Sequence, residues 1–270
     1  MMNISFIGGG NMANAIISGL KKNGFNTSLI TVIDPDTEKC AALAAAYDVQ
    51  LSNHYVDKGT AEVIVLAVKP QQLREVCCQL KASISNQLII SIAAGVRTAD
   101  IARWLGGYAS IVRVMPNTPA QIQAGISALF ASEHVNTTQR EQASSILAAV
   151  GKILWLENES QMDAVTAISG SGPAYVFYLI EALQEAGIAL GLKPEASAML
   201  VLETFAGASQ LALQSKEDIQ TLRAQVTSKG GTTEQGILAL TEANIKQTLL
   251  TAAQAAAAKS KVLGDLLGKD

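Results

Sequence analysis

One stretch near the C-terminal end combines hydroxyl side chains with adjacent glycines, a combination suited to holding an anion. It reads Val226-Thr227-Ser228-Lys229-Gly230-Gly231-Thr232-Thr233 and lies between two segments of helical periodicity. Two consecutive glycines let the backbone approach a ligand closely, and Thr232 or Thr233 is expected to cap the following helix. Bare N–H groups at a helix start bind carboxylates and phosphates. Taken alone, the stretch also fits a plain loop with a helix cap.

A second candidate site lies at the start of the chain. An apolar run over residues 3–7 leads into Gly8-x-Gly10-x-x-Ala13, and helical spacing follows as far as Leu20. In this pattern the first glycine permits a tight turn, the second lets a pyrophosphate approach the backbone, and the alanine lets the helix pack closely. The helix start then faces the phosphates. We predict a dinucleotide site here; the alternative is a glycine-rich turn in an ordinary βαβ unit.

An acidic residue follows the second apolar run. Asp34 lies 24 residues after Gly10, at the end of the run over residues 29–33. A carboxylate at this place usually bonds the ribose 2′-OH and favours NAD over NADP. Residues 35–39 contain no arginine for a 2′-phosphate, although Lys39 or a hydroxyl could hold one. Alternatively, Pro35 opens a helix and Asp34 is its N-cap.

Two later loops are candidates for walls of the same cleft, because ligands bind beyond the carboxyl ends of parallel strands. The strand predicted over residues 63–68 ends in Ala67-Val68-Lys69-Pro70, where Lys69 faces either the cofactor or solvent. The strand over residues 110–115 is followed by Pro116-Asn117-Thr118-Pro119. The prolines restrict this loop, and Asn117 offers both a donor and an acceptor. A proline-shaped connection without ligand contacts is the alternative.

Alternating strands and helices position these loops. Strands are predicted over residues 3–7, 29–33, 63–68, 88–92, 110–115, 127–130 and 152–156, with helices between most of them. Such alternation is typical of an α/β fold with a Rossmann-type dinucleotide-binding sheet. Later residues predict only helices, apolar on more than one face, which indicates a subunit interface. We predict a NAD(P)-binding domain over 1–160 and an all-α substrate-binding and dimerisation domain over 161–270.

The composition bears on partners and cellular location. The chain is 49% hydrophobic and 4% aromatic, with a formal net charge of -3, so it lacks the basic face of a nucleic-acid binder. The longest apolar run, residues 88–96, is too short to span a bilayer, and no signal-peptide pattern is recognisable. We expect a cytoplasmic protein with a small-molecule substrate and neither nucleic-acid nor membrane partners.

The residues that commonly bind metals are sparse. The three cysteines, Cys40, Cys77 and Cys78, form no CxxC, and their odd number argues against a disulfide framework. We expect reduced thiols, with Cys77 and Cys78 in packing roles. The two histidines, His54 and His134, cannot form a histidine-rich site. No metal site is predicted.

The motifs together resemble one enzyme family, pyrroline-5-carboxylate reductase. The matching stretches are Phe6-Ile7-Gly8-Gly9-Gly10-Asn11-Met12-Ala13, Ala67-Val68-Lys69-Pro70, Arg113-Val114-Met115-Pro116-Asn117-Thr118-Pro119, Ser169-Gly170-Ser171-Gly172-Pro173-Ala174-Tyr175, and residues 226–233. They cover nearly the whole chain, and the last two are the most specific.

The resemblance implies hydride transfer from NAD(P)H to the C=N carbon of 1-pyrroline-5-carboxylate, giving L-proline. It implies a helical domain that interlocks with a partner's, and homodimers that assemble into decamers. NADPH is the expected cofactor, with NADH as the alternative. The nicotinamide is expected near the proline loop and the Ser169–Pro173 stretch.

The resemblance also assigns site residues. The Gly-Gly-Thr turn holds the substrate carboxylate through backbone N–H groups, and Thr233 contacts the ring nitrogen as the catalytic residue. The substrate-binding set is Ser228, Gly230, Gly231, Thr232 and Thr233. The cofactor-binding set, from motif and resemblance together, is Ile7, Gly8, Gly10, Asn11, Met12, Asp34, Ala67, Val68, Lys69, Pro70 and Asn117.

Two positions depart from the family pattern. Lys229 stands where the family usually has proline, and Ala224 where it commonly has an acid. Both lie close to the expected carboxylate site, so altered substrate affinity is expected. These departures leave open a reductase of a related cyclic imino acid. A non-catalytic NAD(P)-binding regulator on the same scaffold is a separate alternative, and the intact Gly-Gly-Thr-Thr and Ser-Gly-Ser-Gly-Pro stretches argue against it.

Overall fold

The computed structural model describes residues 2–52 and 61–269, so His54 lies outside the described part of the chain. The strands are β1 Ile4–Ile7, β2 Ile30–Ile33, β3 Gln50–Leu51, β4 Val63–Leu66, β5 Leu88–Ser91, β6 Ile111–Met115, β7 Gly125–Ala131 and β8 Gly151–Trp155. They form one sheet in the order β3-β2-β1-β4-β5-β6-β7-β8. The predicted strands are confirmed with small shifts at their ends.

The sheet has the strand order of a Rossmann fold, extended at one edge. Strands β1 to β6 are parallel, β7 is antiparallel to β6, and β8 is parallel to β7. The first strand pairs with β2 on one side and β4 on the other, so the chain direction across the sheet reverses there. Ligands bind at such a switch point in open parallel sheets. The glycine turn after β1 and the Ala67–Pro70 loop after β4 therefore both lie at the expected place.

Apolar clusters cover both faces of the sheet. Phe6 belongs to one cluster and its neighbour Ile7 to the other, because successive strand residues point to opposite faces. Strands buried on both faces are apolar throughout, which explains why they were readable as continuous runs. Cys77 is buried, and burial raises the pKa of its thiol to about 12. Cys78 is exposed, so its expected packing role is wrong.

Helices make up the rest of the regular structure. They are α1 Asn11–Lys22, α2 Thr37–Tyr47, α3 Pro70–Leu80, α4 Thr98–Trp104, α5 Thr137–Ala148, α6 Met162–Val165, α7 Gly172–Ala189, α8 Pro194–Gln214, α9 Ile219–Gln225, α10 Thr232–Glu242 and α11 Ile245–Leu267. The chain separates into two compact units. The first comprises residues up to Ser171 together with those from Ala255 onward, and the second is Gly172–Gln254.

The end of α11 is fastened within the first unit. Ser260 Oγ donates to Asp163 Oδ1 at 2.7 Å, and Asp265 forms an ion pair with Arg97. The hydrogen bond from Arg97 holds the pKa of Asp265 below its usual range. These contacts place the last turns of α11 against the loop that follows β5 and against α6.

The second unit exposes much of its apolar surface. Helix α7 has no buried residue, and Leu190 and Leu213 are 87% and 85% exposed. Among the described helices, α8 alone is long and apolar enough to span a bilayer, a property shared by core helices of soluble proteins. A large exposed apolar surface on a small helical unit marks an interaction site. The prediction that these helices are apolar on more than one face is confirmed.

Candidate functional site

The loop after β1 has the geometry required of a dinucleotide turn. Gly8 adopts a φ of 102°, its N–H donates to Ile33 O at 2.8 Å, and Ala67 N donates to Ile7 O at 2.7 Å. A Cβ on Gly8 would lie 2.5 Å from Ala67 O, so two loops approach each other at a distance that only glycine allows. The predicted residues Ile7 and Gly8 thus join β1 to the strand ends on both sides.

The start of α1 is open. Gly10 is its N-cap, and no side chain caps the helix among the described residues. A Cβ placed on Gly10 would meet nothing within 4 Å, so there is free space in front of this residue. Asn11 and Met12 are the first helical residues, exposed and half-buried respectively. An uncapped helix start with open space before it fits a pyrophosphate group.

Asp34 is held by the glycine loop rather than by a helix. Its Oδ2 accepts from Gly9 N at 2.7 Å and its Oδ1 from Asp36 N at 2.9 Å. The alternative that Asp34 caps a helix is wrong, because α2 begins two residues later than that alternative required and Asp36 accepts from Lys39 N at 3.1 Å. The Asp34 carboxylate is therefore fixed beside the turn.

A cavity of about 330 Å³ adjoins the turn. It is lined by Gly9, Gly10, Asn11, Asn14, Lys39, Ala42, Leu43, Ala46 and Tyr47. The Lys39 ammonium, the cation among these residues, already pairs with Asp36 at 2.8 Å. The cavity thus has both apolar and polar lining residues but little uncompensated positive charge.

The loop after β4 leads into a helix that Pro70 opens, as the sequence predicts. Pro70 stands in the first turn of α3 and Lys69 is the N-cap. The Lys69 side chain is exposed, while Ala67 and Val68 are half-buried beside the glycine turn. A cofactor contact of Lys69 stays a prediction.

Two motifs distant in sequence meet at the end of β6. Asn117 Oδ1 accepts from Ile126 N at 3.0 Å, and its Nδ2 donates to Ser169 Oγ at 3.4 Å. The donor and the acceptor of Asn117 therefore brace the proline loop itself. Gly170 lies against the side chain of Met115, where an added Cβ would collide with it.

The sequence pattern predicts that Ser169–Pro173 interrupts a helix that begins at Met162 and resumes at Ala174. A π-helical turn over Thr166–Gly170 joins α6 to α7, and Ser171 N donates to Thr166 O at 2.8 Å. The α-helix is therefore interrupted as predicted, but over residues 166–171, and Pro173 lies in the first turn of α7, where its missing N–H costs no hydrogen bond. Such π-turns occur frequently at functional sites.

One buried network was missed. Arg113 Nη1 donates to Glu159 Oε1 at 2.9 Å, and Thr98 donates to the same carboxylate through its N–H at 2.8 Å and its hydroxyl at 2.7 Å. Arg113 is 5% exposed. The network anchors the strand that carries the proline loop. Arg113 and Thr98 are 46 and 61 residues away from Glu159 in sequence, so no local sequence pattern predicts the network.

The glycine pair near the C-terminal end forms a tight turn. Gly231 N donates to Ser228 O at 3.0 Å, and Gly230 has a φ of 76°. A positive φ at the third residue is typical of a type II β-turn, in which proline is favoured at the second residue. That residue here is Lys229. The proline that is usual in the family would be compatible with the second position of this turn, which Lys229 occupies in this chain.

The expected threonine cap of α10 is wrong. Gly231 is the N-cap, no side chain caps the helix within the described residues, and Thr232 and Thr233 are already helical. Both threonine side chains are exposed, and Glu234 Oε2 accepts from Gly230 N at 2.7 Å. The start of α10 therefore carries no side-chain cap from the described part of the chain, and anion binding there stays a prediction.

Replacing Lys229 with proline is expected to stabilise the protein by about 0.4–1 kcal/mol, because the ring reduces the entropy of the unfolded chain at a position compatible with it. The Lys229 N–H donates to no group among the described residues, so no hydrogen bond is lost. The urea midpoint of unfolding measures the effect. Lys229→Ala is the matched control for loss of the side chain, and a Pro variant less stable than this control would contradict the turn assignment.

Comparisons with known proteins agree on one family. Residues 159–263 match the family model described as pyrroline-5-carboxylate reductase dimerisation, and residues 3–95 match NADP oxidoreductase, coenzyme F420-dependent. A pyrroline-5-carboxylate reductase of Pseudomonas aeruginosa is 43% identical over 267 residues, 97% of this chain and 98% of the relative.

Solved structures show the same similarity. A pyrroline-5-carboxylate reductase from Coxiella burnetii has a TM-score of 0.91 and 42% identity, covering 97% of this chain and 98% of that one. The Plasmodium falciparum pyrroline carboxylate reductase with NADP bound has a TM-score of 0.85 and 31% identity, with the same coverage of both chains.

Proposed function

This chain belongs to the pyrroline-5-carboxylate reductase family, and from that premise we infer that it transfers a hydride from NAD(P)H to 1-pyrroline-5-carboxylate, giving L-proline in proline biosynthesis. The observation that carries the inference is 43% identity to a curated enzyme of that name across 97% of the chain. The matched dimerisation region contains both the π-turn motif and the Gly-Gly-Thr turn. The enzyme is an oxidoreductase that acts on a C=N bond.

We propose that the first unit holds the dinucleotide. The open space before Gly10 and the uncapped start of α1 fit a pyrophosphate, with Ile7, Gly8, Asn11 and Met12 around it. Asp34 would meet the adenosine ribose. The bound cofactor supplies the hydride, and the loops at Ala67–Pro70 and Asn117 would line the path of the cofactor to its nicotinamide end.

We propose that the turn at residues 228–233 binds the substrate. The backbone N–H groups of Thr232 and Thr233 would orient the carboxylate, with Ser228, Gly230 and Gly231 shaping the turn. A protonated imine already accepts hydride readily, so the side chains need to position it rather than to activate it strongly. The Thr233 hydroxyl would hold the proton at the ring nitrogen while the C=N electron pair moves onto that atom. Reduction of a related cyclic imino acid is the alternative that Lys229 and Ala224 favour.

The exposed apolar side chains of the C-terminal helices bear on how copies of the chain associate. We propose that residues 1–160 form the NAD(P)-binding domain and residues 161–270 the substrate-binding and dimerisation domain. The apolar surface of α7 and α8 supports a dimer. We further propose that dimers assemble into decamers and that the enzyme works in the cytoplasm. Light scattering distinguishes the mass of a dimer from that of a decamer.

Initial rates with 1-pyrroline-5-carboxylate against NADPH and NADH test the function and its cofactor. We expect turnover with both cofactors, and the family resemblance implies a preference for NADPH despite Asp34; a strong preference for NADH would support the opposite argument from the Asp34 carboxylate. Asp34→Ser is expected to raise the ratio of kcat/KM for NADPH to that for NADH about tenfold, because a carboxylate beside the ribose repels a 2′-phosphate. Serine keeps an acceptor for Gly9 N.

Glu38→Gln is the matched control for this cofactor experiment, since it removes the same charge from an exposed position in the first turn of α2. It is expected to leave the ratio within twofold. No oxidation of either cofactor by wild-type enzyme would contradict the function, whereas an unchanged ratio in Asp34→Ser would contradict only the placement of the ribose.

A further inference from the structure

Glu234 makes an unusual contact at the start of α10. It is the third helical residue, the position from which a glutamate commonly reaches back to the N–H of the N-cap residue. Here the N–H of the N-cap, Gly231, donates instead to Ser228 O at 3.0 Å. The Glu234 carboxylate reaches one residue further and accepts from Gly230 N at 2.7 Å. The carboxylate therefore holds the turn rather than the helix.

The N–H that Glu234 holds belongs to the central peptide of the turn. Type I and type II β-turns differ by a flip of this peptide, which joins the second and third turn residues, here Lys229 and Gly230. Glycine at the third position populates positive and negative φ about equally well, so it does little to prevent the flip. The hydrogen bond from Gly230 N to the Glu234 side-chain oxygen opposes the flip, because a flipped peptide would lose this bond. The bond also directs the Lys229 carbonyl away from the Glu234 carboxylate.

The orientation of that peptide matters for an anion at the helix start. With Gly230 N taken by Glu234 and Gly231 N taken by Ser228, the amides at Thr232 and Thr233 are the ones left for a carboxylate. If the peptide flipped, the Lys229 carbonyl oxygen would take the place of the Gly230 N–H and face the Glu234 carboxylate. The flip would also change the dihedral angles of Lys229 and Gly230, which lead directly into the amides proposed to bind the carboxylate.

We propose that Glu234 is a positioning residue for the substrate carboxylate, acting by locking the Lys229–Gly230 peptide. The proposal rests on the proposed function of the turn. Lys229 increases the dependence on this lock, because the ring of the family's proline is absent. Since the carboxylate of the substrate does not change during hydride transfer, the loss of its anchor weakens ground state and transition state equally. The effect should therefore fall on KM and not on kcat.

The test compares Glu234→Ala with Glu234→Gln in the full-length enzyme. Glu234→Ala is expected to raise KM for 1-pyrroline-5-carboxylate about 5- to 30-fold, with kcat and the cofactor KM within threefold of wild type. Glu234→Gln keeps an oxygen acceptor of the same reach and is expected to restore KM to within threefold. Glu242→Ala, at the other end of α10, removes the same charge and is expected to match wild type.

The outcomes separate this inference from the proposed function. Absence of wild-type turnover with either cofactor overturns both. With wild-type turnover present, a KM in Glu234→Ala within twofold of wild type, or below it, overturns the inference alone. A Glu234→Gln variant as impaired as Glu234→Ala also overturns it, because charge rather than acceptor geometry would then be responsible.

Discussion

Replacing Gly8 with alanine is expected to lower kcat/KM for NADPH at least 100-fold and to destabilise the fold by about 2–5 kcal/mol. Gly8 has a φ of 102°, which strains any L-residue with a side chain. Its added Cβ would also lie 2.5 Å from Ala67 O, a backbone atom that cannot move without displacing the loop after β4. Both loops proposed to hold the cofactor would shift together. Initial rates against NADPH and urea unfolding measure the two effects.

Gly10→Ala separates these two effects. A Cβ at Gly10 meets nothing within 4 Å and the residue has a φ of -72°, so stability should change by less than about 0.5 kcal/mol. The methyl group would nevertheless occupy the space proposed for the pyrophosphate, and the cofactor KM should rise about tenfold. A Gly8→Ala enzyme with wild-type stability and cofactor KM would contradict the role of the turn.

The glycine turn between β1 and α1 could be predicted from sequence because its determinants are local. Gly8, Gly10 and Ala13 each meet a requirement of one strand, one turn or one helix start, and these requirements follow one another along the chain. The buried strands were equally readable, since parallel strands covered on both faces are apolar throughout. Strand β3 escaped prediction because it has only two residues and both are exposed.

Hydrogen-bond partners and helix boundaries that depend on the folded geometry of the chain could not be predicted from such local patterns. Asp34 was a plausible helix cap, and only the geometry of the loop shows it bound to Gly9 instead. The threonines after Gly231 had the right chemistry for a cap but fall inside the helix. The Arg113–Glu159–Thr98 network joins residues far apart in sequence, and no period or spacing could have paired them.

The turn proposed to bind the substrate has some features that the sequence predicts and others that only the structure explains. Its glycines were recognised from sequence, and the position of Gly230 at a positive φ explains why glycine stands there. That Lys229 occupies the proline position of the turn became intelligible only when the hydrogen bond from Gly231 to Ser228 defined the turn. The family resemblance is the basis for the proposed substrate, and the geometry explains why these residue types are compatible with the turn.

Removing the Thr233 hydroxyl tests the chemical step proposed for this turn. Thr233→Ala is expected to lower kcat/KM for 1-pyrroline-5-carboxylate by about 5- to 150-fold, the equivalent of roughly 1–3 kcal/mol for one substrate hydrogen bond. The loss should fall on kcat, since the hydroxyl holds the proton most strongly as the electron pair reaches the ring nitrogen. Alanine is a better helix former than threonine, so loss of the fold cannot account for the change.

Two variants define what the Thr233 result means. Thr233→Ser keeps the hydroxyl and should recover most of the activity. Thr232→Ala removes the neighbouring exposed hydroxyl but leaves its backbone N–H in place, so it should stay within threefold of wild type. If Thr233→Ala matched wild type in kcat/KM, the ring nitrogen would have no partner at this residue. If both alanine variants were equally impaired, the helix start rather than a specific hydroxyl would be responsible, because both residues lie in the first turn of α10.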